Sequence, residues 1–454
     1  MFNSADNKVT RPIESNPARA RLALLIGLHI AVCCVSLVVV ARYDYLLGTS
    51  PGGAFTFYPP ALHIFFDPSR LPIVIAAIAA FGLVASLFVK ARFSFGYFAG
   101  FYFYTMVLGF VWLNFFSDLN YDHRLAGLSA VTSIVAFLLP ALFISSPLRH
   151  EIKLSTQAFD RILLFILLLG IGTIVVGAIY NFRIVALKDM YQFRDKMSAP
   201  VIVNYAVTFF SDALLPFAFA GFIARKAYWR AGAVLCLLPL FYPIVLNKIA
   251  FFTPMWLLVV LFLSRVFEAR VAAVLSLFVP LLGGLMLLAS LNTAAAPVFY
   301  IINFRQFAIP SLAMDVYNDF FSRHDLTLFC QVSVLKAITS CPYREQLSIV
   351  MERAYGMGNY NASLFATEGI ASIGPFFAPL AGLACGFIVA IGNRLSAGLP
   401  ASFILTSGAI LPQIMLNVPL STMLLTHGMA ITFLLWYLTP RTIFDREART
   451  GAAV

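Results

Sequence analysis

Charge is what this chain has least of. Asp, Glu, Lys and Arg make up 11% of its 454 residues, less than half of the roughly 25% typical of a soluble domain. That scarcity excludes an ordinary water-soluble fold. No GxxxxGK[ST] phosphate loop is present, and no large polar domain exists to carry one, which argues against ATP hydrolysis. The sequence has no HExxH and no CxxC pair, and its six histidines are scattered, so neither a metal nor a cofactor is expected. The ten-residue alternation of an outer-membrane barrel is missing, as is any internal repeat. Acidic residues are outnumbered, giving a formal net charge of +11. That excess belongs to membrane topology and lipid headgroups, and no nucleic-acid partner is expected.

What the chain does have is apolar runs, near 22–41, 71–89, 98–116, 125–146, 162–180, 201–223, 231–247, 249–264, 271–291, 370–392, 400–416 and 420–438. Each approaches the ~20 residues that a helix needs to cross a ~30 Å hydrocarbon core. Backbone groups in lipid must be paired internally, so such runs are helices. The expectation is an all-α, polytopic integral membrane protein of about 12 transmembrane helices. Residues 1–19 form a disordered cytoplasmic N-terminus, 20–440 a single transmembrane domain, and 441–454 a cytoplasmic tail. The first run is long and its flanks do not suit a cleaved leader, so it is expected to stay in the mature chain. The pairs Asn247–Lys248, Pro243 and Pro254 predict bent or partly re-entrant seventh and eighth spans.

With the N-terminus inside, 18 of the 31 Lys and Arg face the cytoplasm, as the positive-inside rule requires. Of the remaining 13, Arg42, Arg70, Arg124 and Lys248 are scattered. The other nine gather in two extracytoplasmic loops. Arg183, Lys188, Arg194 and Lys196 lie in 181–200, and Arg305, Arg323, Lys336, Arg344 and Arg353 in the large loop 292–369. Cations placed against the topology signal need a partner, and a membrane-anchored phosphate suits the planar fork of arginine. Within the large loop, 298–321 reads as a helix with Asp315 and Asp319 one turn apart, and 343–355 as an amphipathic one. Cys330 and Cys341 fit a disulfide if the compartment is oxidising, and two free thiols otherwise. Glu368, where the chain re-enters the membrane, reads either as a base or as a helix-start acid. Asp212, His29 and His427 fall inside spans, where an ionisable residue is a site by default, but a lone histidine there more often serves as a neutral hydrogen bond to a neighbouring helix. Asp44, beside Arg42 in the first outer loop, stands where an acid serves a lipid-dependent glycosyltransferase.

At TyrGlnPheArg (191–194), AsnPheArgGlnPheAlaIlePro (303–310) and GlyAsnTyrAsn leading to GluGlyIleAlaSerIleGlyPro (358–375), the chain resembles the Wzy-type oligosaccharide repeat-unit polymerases, the O-antigen polymerases. The resemblance implies a bacterial inner-membrane glycosyltransferase with both termini cytoplasmic. It implies undecaprenyl-diphosphate-linked glycans as donor and acceptor, with membrane lipids and a chain-length regulator as partners. On this reading Arg194 and Arg305 stabilise the leaving diphosphate, with Arg183, Lys196, Arg353, Asn359 and Asn361 binding substrate. Glu368 or His324 takes the proton of the acceptor hydroxyl. A secondary transporter or lipid-linked oligosaccharide flippase is the main alternative, followed by a polyprenyl-phosphate-dependent glycosyltransferase or an O-antigen ligase.

Overall fold

The computed structural model describes residues 16–42, 62–149, 151–152, 154–186, 190, 193, 199–332, 335, 338–356 and 363–444. Among these the protein is all-helical; its one β contact is an isolated bridge between Ile64 and Ser117. Ten helices are long and apolar enough to cross a membrane: α1 (Asn16–Ala41), α2 (Pro68–Lys90), α3 (Phe95–Leu113), α4 (His123–Phe143), α5 (Thr156–Tyr180), α6 (Val201–Ala224), α7 (Tyr228–Val245), α8 (Lys248–Val266), α9 (Ala269–Leu291) and, after the insertion described below, α12 (Phe365–Ser396). They coincide with the first ten apolar runs. Leu24, Ile75, Leu128, Phe165, Ile179, Phe262 and Phe376 are exposed on the bundle's outside. An apolar outer surface of that extent belongs in lipid. The chain is thus a polytopic helical membrane protein.

Helix α3 is the axis. All nineteen of its residues are buried, so other helices rather than lipid surround it. That shielding lets it carry Tyr97, Tyr102, Tyr104 and Thr105, and His29 of α1 bonds Thr105 at 2.9 Å. This is the neutral, helix-bridging role expected of a membrane-embedded histidine. At one end of the bundle Asn393 of α12 accepts from the Gly96 amide at 2.7 Å and donates to the Ala141 carbonyl at 2.7 Å. This tail end holds the start of α3 and the ends of α4 and α12. The opposite, loop end holds 114–122, 181–186, 322–332 and 338–356.

Two regions depart from expectation. The segment 292–369 is not one outer loop, because its first part is a further helix, α10 (296–321), inside the bundle. Every residue from Pro310 to Phe321 is buried. Asn303 donates to the Leu281 carbonyl and to Ser36, both at about 2.8–2.9 Å. Leu281 lies roughly ten residues short of the loop end of α9, about 15 Å at helical rise. Ser311 donates to the Met106 carbonyl of α3 at 2.8 Å. Contact this close requires Gly109, where a Cβ would sit 2.3 Å from the Ser311 hydroxyl. Gly109→Ala is therefore expected to push α10 away and destabilise the fold by about 1–3 kcal/mol, measured as a lower thermal midpoint in detergent.

The last two apolar runs, 400–416 and 420–438, are fragmented into α13 (Ala401–Ser407), α14 (Leu411–Met415), α15 (Leu420–Leu425) and α16 (Met429–Leu438). Pro412, Pro419 and Gly428 interrupt the ladder. The path begins beside the tail end of α12, and Ser421 reaches Glu368 at the loop end. The chain then returns, and Arg441 donates to the carbonyls of Leu395 and Ala397 at 3.0 and 2.9 Å. Helix α7 is also bent, by a 3-10 turn at Leu238–Phe241, and Leu246 is left-handed at φ 47°.

Candidate functional site

The two basic segments meet at the turn between α7 and α8. The Arg183 amide donates to the Pro243 carbonyl at 2.9 Å, and the Tyr242 hydroxyl to the Val185 carbonyl at 2.8 Å. Tyr242, Leu246 and Met190 form a small buried cluster against which Val185 and Phe193 pack. Residues 183–186, Met190 and Phe193 are thereby held on the α7–α8 turn. Lys248, two residues beyond Leu246, is half-buried and feels the charge of Arg305. Arg305, also half-buried, sits on the π-helical stretch Tyr300–Ala308 of α10. Next to it Gln306 accepts from Gln413 of α14. Arg305 and Lys248 lie within electrostatic reach of each other at this corner, and each also interacts with its other neighbours.

Glu368 occupies a second π-helical stretch, Phe365–Ile370. It is buried, accepts from Thr367 Oγ1 at 2.8 Å, and lies 3.4 Å from the Ser421 amide. Tyr317 of α10 is within electrostatic reach of it, and the buried Tyr317 hydroxyl has no hydrogen-bond partner among the described residues. The third π stretch, Phe210–Leu214 in α6, carries Asp212. Asp212 accepts from Ser211 Oγ at 2.7 Å and pairs with His427 Nδ1 at 2.7 Å. All three π stretches among the described residues bear a buried or half-buried ionisable side chain. Such turns widen the hydrogen-bond ladder and concentrate at functional positions.

Where α10 ends, two carboxylates hold the loop end in place. Asp315 accepts from Ser117 Oγ at 2.8 Å and from the Tyr121 hydroxyl. Asp319 accepts from the Asn120 amide at 2.9 Å, from Arg323, and from the Tyr355 hydroxyl. Tyr355 ends α11 (Leu347–Tyr355), so Asp319 ties that helix to α10. Burial pushes the Asp315 carboxyl up to about 7, with hydrogen bonds from Tyr121 and Ser117 opposing. A carboxyl raised on folding stabilises the protonated native state, so its contribution is complete below the ordinary value near 3.8 and is lost as pH rises to about 7. Thermal midpoints are expected to fall across that window, and Asp315→Asn should flatten the dependence. An equal slope in the variant would contradict this role.

The sequence-derived candidates fare unevenly. Arg305 and Glu368 flank α10 at different places, Arg305 toward the α7–α8 turn and Glu368 toward α15. Arg353 is exposed and paired with Glu345 at 2.6 Å. His324 is exposed, stacked on Phe320 at 3.9 Å, and donates Nδ1–H to the Phe320 carbonyl at 2.8 Å. That bond fixes the tautomer and leaves Nε2 as the basic nitrogen. The Arg183 side chain is exposed. Arg194, Lys196, Asn359, Asn361 and Asp44 lie outside the described residues. Reading the sequence missed Lys248, counted there as a scattered cation, and also Gln306, Gln413 and Tyr317. Only the asparagine cap and proline-flanked turn before Lys248 hinted that it belonged to a built corner. Among the described residues no group of His, Cys, Asp and Glu is arranged to hold a metal ion.

No family model, no curated protein and no solved structure matches this chain.

Proposed function

We propose that the protein polymerises undecaprenyl-diphosphate-linked oligosaccharide repeat units at the outer face of a bacterial inner membrane, building O-antigen, capsule or exopolysaccharide. What supports this reading is that the chain around Arg183 packs on the α7–α8 turn, where Lys248 lies within electrostatic reach of Arg305. In the proposed reaction an acceptor hydroxyl oxygen attacks the anomeric carbon of the donor glycan. The bond from that carbon to the lipid diphosphate breaks, Glu368 takes the hydroxyl proton, and Arg305 and Lys248 stabilise the departing diphosphate. Counting the fragmented runs 401–415 and 420–438 as two crossings gives twelve spans with both termini cytoplasmic. The bond between Cys330 and Cys341 supports this orientation, because disulfides persist in oxidising compartments.

Purified protein in lipid vesicles supplied with a lipid-diphosphate oligosaccharide is expected to yield a ladder of multiples of the repeat unit with release of lipid diphosphate. Recovery of unreacted single units moved across the bilayer would instead establish transport. That second reading rests on one observation, the part-buried Asp212–His427 pair joining interrupted helices, since transporters place ionisable groups and broken helices near the midplane. Asp212→Asn distinguishes the two, with polymer length unchanged under the first and transport abolished under the second. The polyprenyl-phosphate glycosyltransferase reading rests on Asp44, outside the described residues, and an O-antigen ligase shares the basic corner.

A further inference from the structure

Helix α12 is broken where it matters. Gly374 adopts φ 73° and ψ 165° inside it, and Pro375 follows. In an unbroken helix the Ala371 carbonyl would accept from residue 375, which as proline has no N–H, and the Ser372 carbonyl from residue 376. Both carbonyls are satisfied from elsewhere. The Thr327 amide donates to Ala371 at 2.8 Å and the Leu328 amide to Ser372 at 3.1 Å. Thr327 Oγ1 also meets Ser372 Oγ at 3.1 Å, and that hydroxyl donates to the Thr367 carbonyl at 3.0 Å. The donor segment is itself held in an unfavourable shape. Leu328 and Phe329 are consecutive left-handed residues at φ 48° and 64°, a conformation that persists only when the surroundings impose it.

The next residue, Cys330, is bonded to Cys341. Gln331 Nε2 donates to the carbonyls of Tyr343 and Glu345 at 3.1 and 3.2 Å, and the Tyr343 hydroxyl to Asp325 at 2.8 Å. The closed loop is therefore stitched to itself on both sides of the disulfide. We infer that the segment Thr327–Cys330, locked by the disulfide, is a positioning clasp. It supplies the two hydrogen bonds that the α12 break lacks, and so fixes the π turn carrying Glu368, four residues before Ser372. Reducing the disulfide then loosens Glu368 and not the remainder of α12. The catalytic consequence rests on Glu368 acting in the proposed polymerisation, whereas the geometry of the clasp does not.

The test is hydrogen–deuterium exchange on the full chain in lipid nanodiscs, with and without a phosphine reductant, with thiol formation confirmed by mass. Reduction is expected to speed amide exchange in 364–376 at least tenfold and to leave 380–396 unchanged. Thr327→Pro, which deletes the donor N–H, should reproduce this in the oxidised protein. Thr327→Ala, which keeps the donor, should not. In a polymerisation assay Thr327→Pro should lower kcat with KM for the lipid-linked donor unchanged. Unchanged exchange at 364–376 in fully reduced protein, or equal behaviour of the proline and alanine variants, would overturn the clasp. Faster exchange at 364–376 with no polymerising activity even in the oxidised parent would uphold the clasp and defeat the polymerase reading instead.

Discussion

Arg305→Ala is expected to lower polymerisation by about 100- to 1,000-fold while the protein remains inserted and folded. Removing one preformed donor from a developing anion typically has that effect where water is partly excluded. Arg305 fits the role because of where α10 places it. The π stretch Tyr300–Ala308 packs beside α9, and its arginine is half-buried within electrostatic reach of Lys248. Arg305→Lys keeps the charge but loses the planar two-pronged contact with phosphate, so an intermediate loss is expected. Lys248→Ala should lower the rate less than Arg305→Ala, and the double variant should lose less than the product of the two single losses, because groups acting on one anion are not additive. Rates are read as repeat units added per time at saturating donor. Full activity in both single variants would remove the basic corner from the chemistry.

Glu368→Gln is expected to lower the rate by roughly 100- to 10,000-fold, the range for removing a general base. The amide is nearly isosteric with the carboxylate. Its oxygen still accepts from Thr367 Oγ1, and its size still fits the space beneath Ser421, so the loss is expected without a matching loss of thermal stability. The acid limb of the pH–rate profile should vanish in the variant. His324→Ala is the comparison. An exposed imidazole stacked on Phe320 has little structure to lose. If its removal abolished the acid limb while Glu368→Gln kept it, the base would be reassigned.

Nine of the ten long helices were legible because their outer faces meet lipid, which demands apolar side chains almost without interruption; α3, enclosed by other helices, was legible because its packed surface is itself mostly apolar. Helix α10 was not legible as an embedded element for the opposite reason. Surrounded by α1, α3, α9 and the α12 π turn, it needs no lipid-compatible face and can carry Asn303, Arg305, Gln306, Asp315 and Asp319. Sequence composition therefore placed it in a loop. The runs 400–416 and 420–438 showed their hydropathy, but their breaks depend on how Pro412, Pro419 and Gly428 are accommodated by neighbours.

At the site, Arg305 and Glu368 could be singled out from residue type and position. The pairing of Arg305 with Lys248 could not, since it joins residues far apart in sequence through the α7–α8 turn. The partner of Arg353 was legible too, since Glu345, one of the acids close to it in sequence, pairs with it in space. The helix expected over 343–355 starts later, at Leu347, because the preceding residues are pinned by Gln331 and the disulfide loop.

The measurement that tests the central claim most directly is the length distribution of surface polysaccharide in a deletion strain, complemented by the intact chain or by Arg305→Ala. Polymerase function predicts that deletion removes long chains and leaves single repeat units displayed, that the intact chain restores the full ladder, and that Arg305→Ala does not. Full-length lipid-linked polymer stranded on its carrier, or single lipid-linked units trapped on the cytoplasmic face, would contradict it.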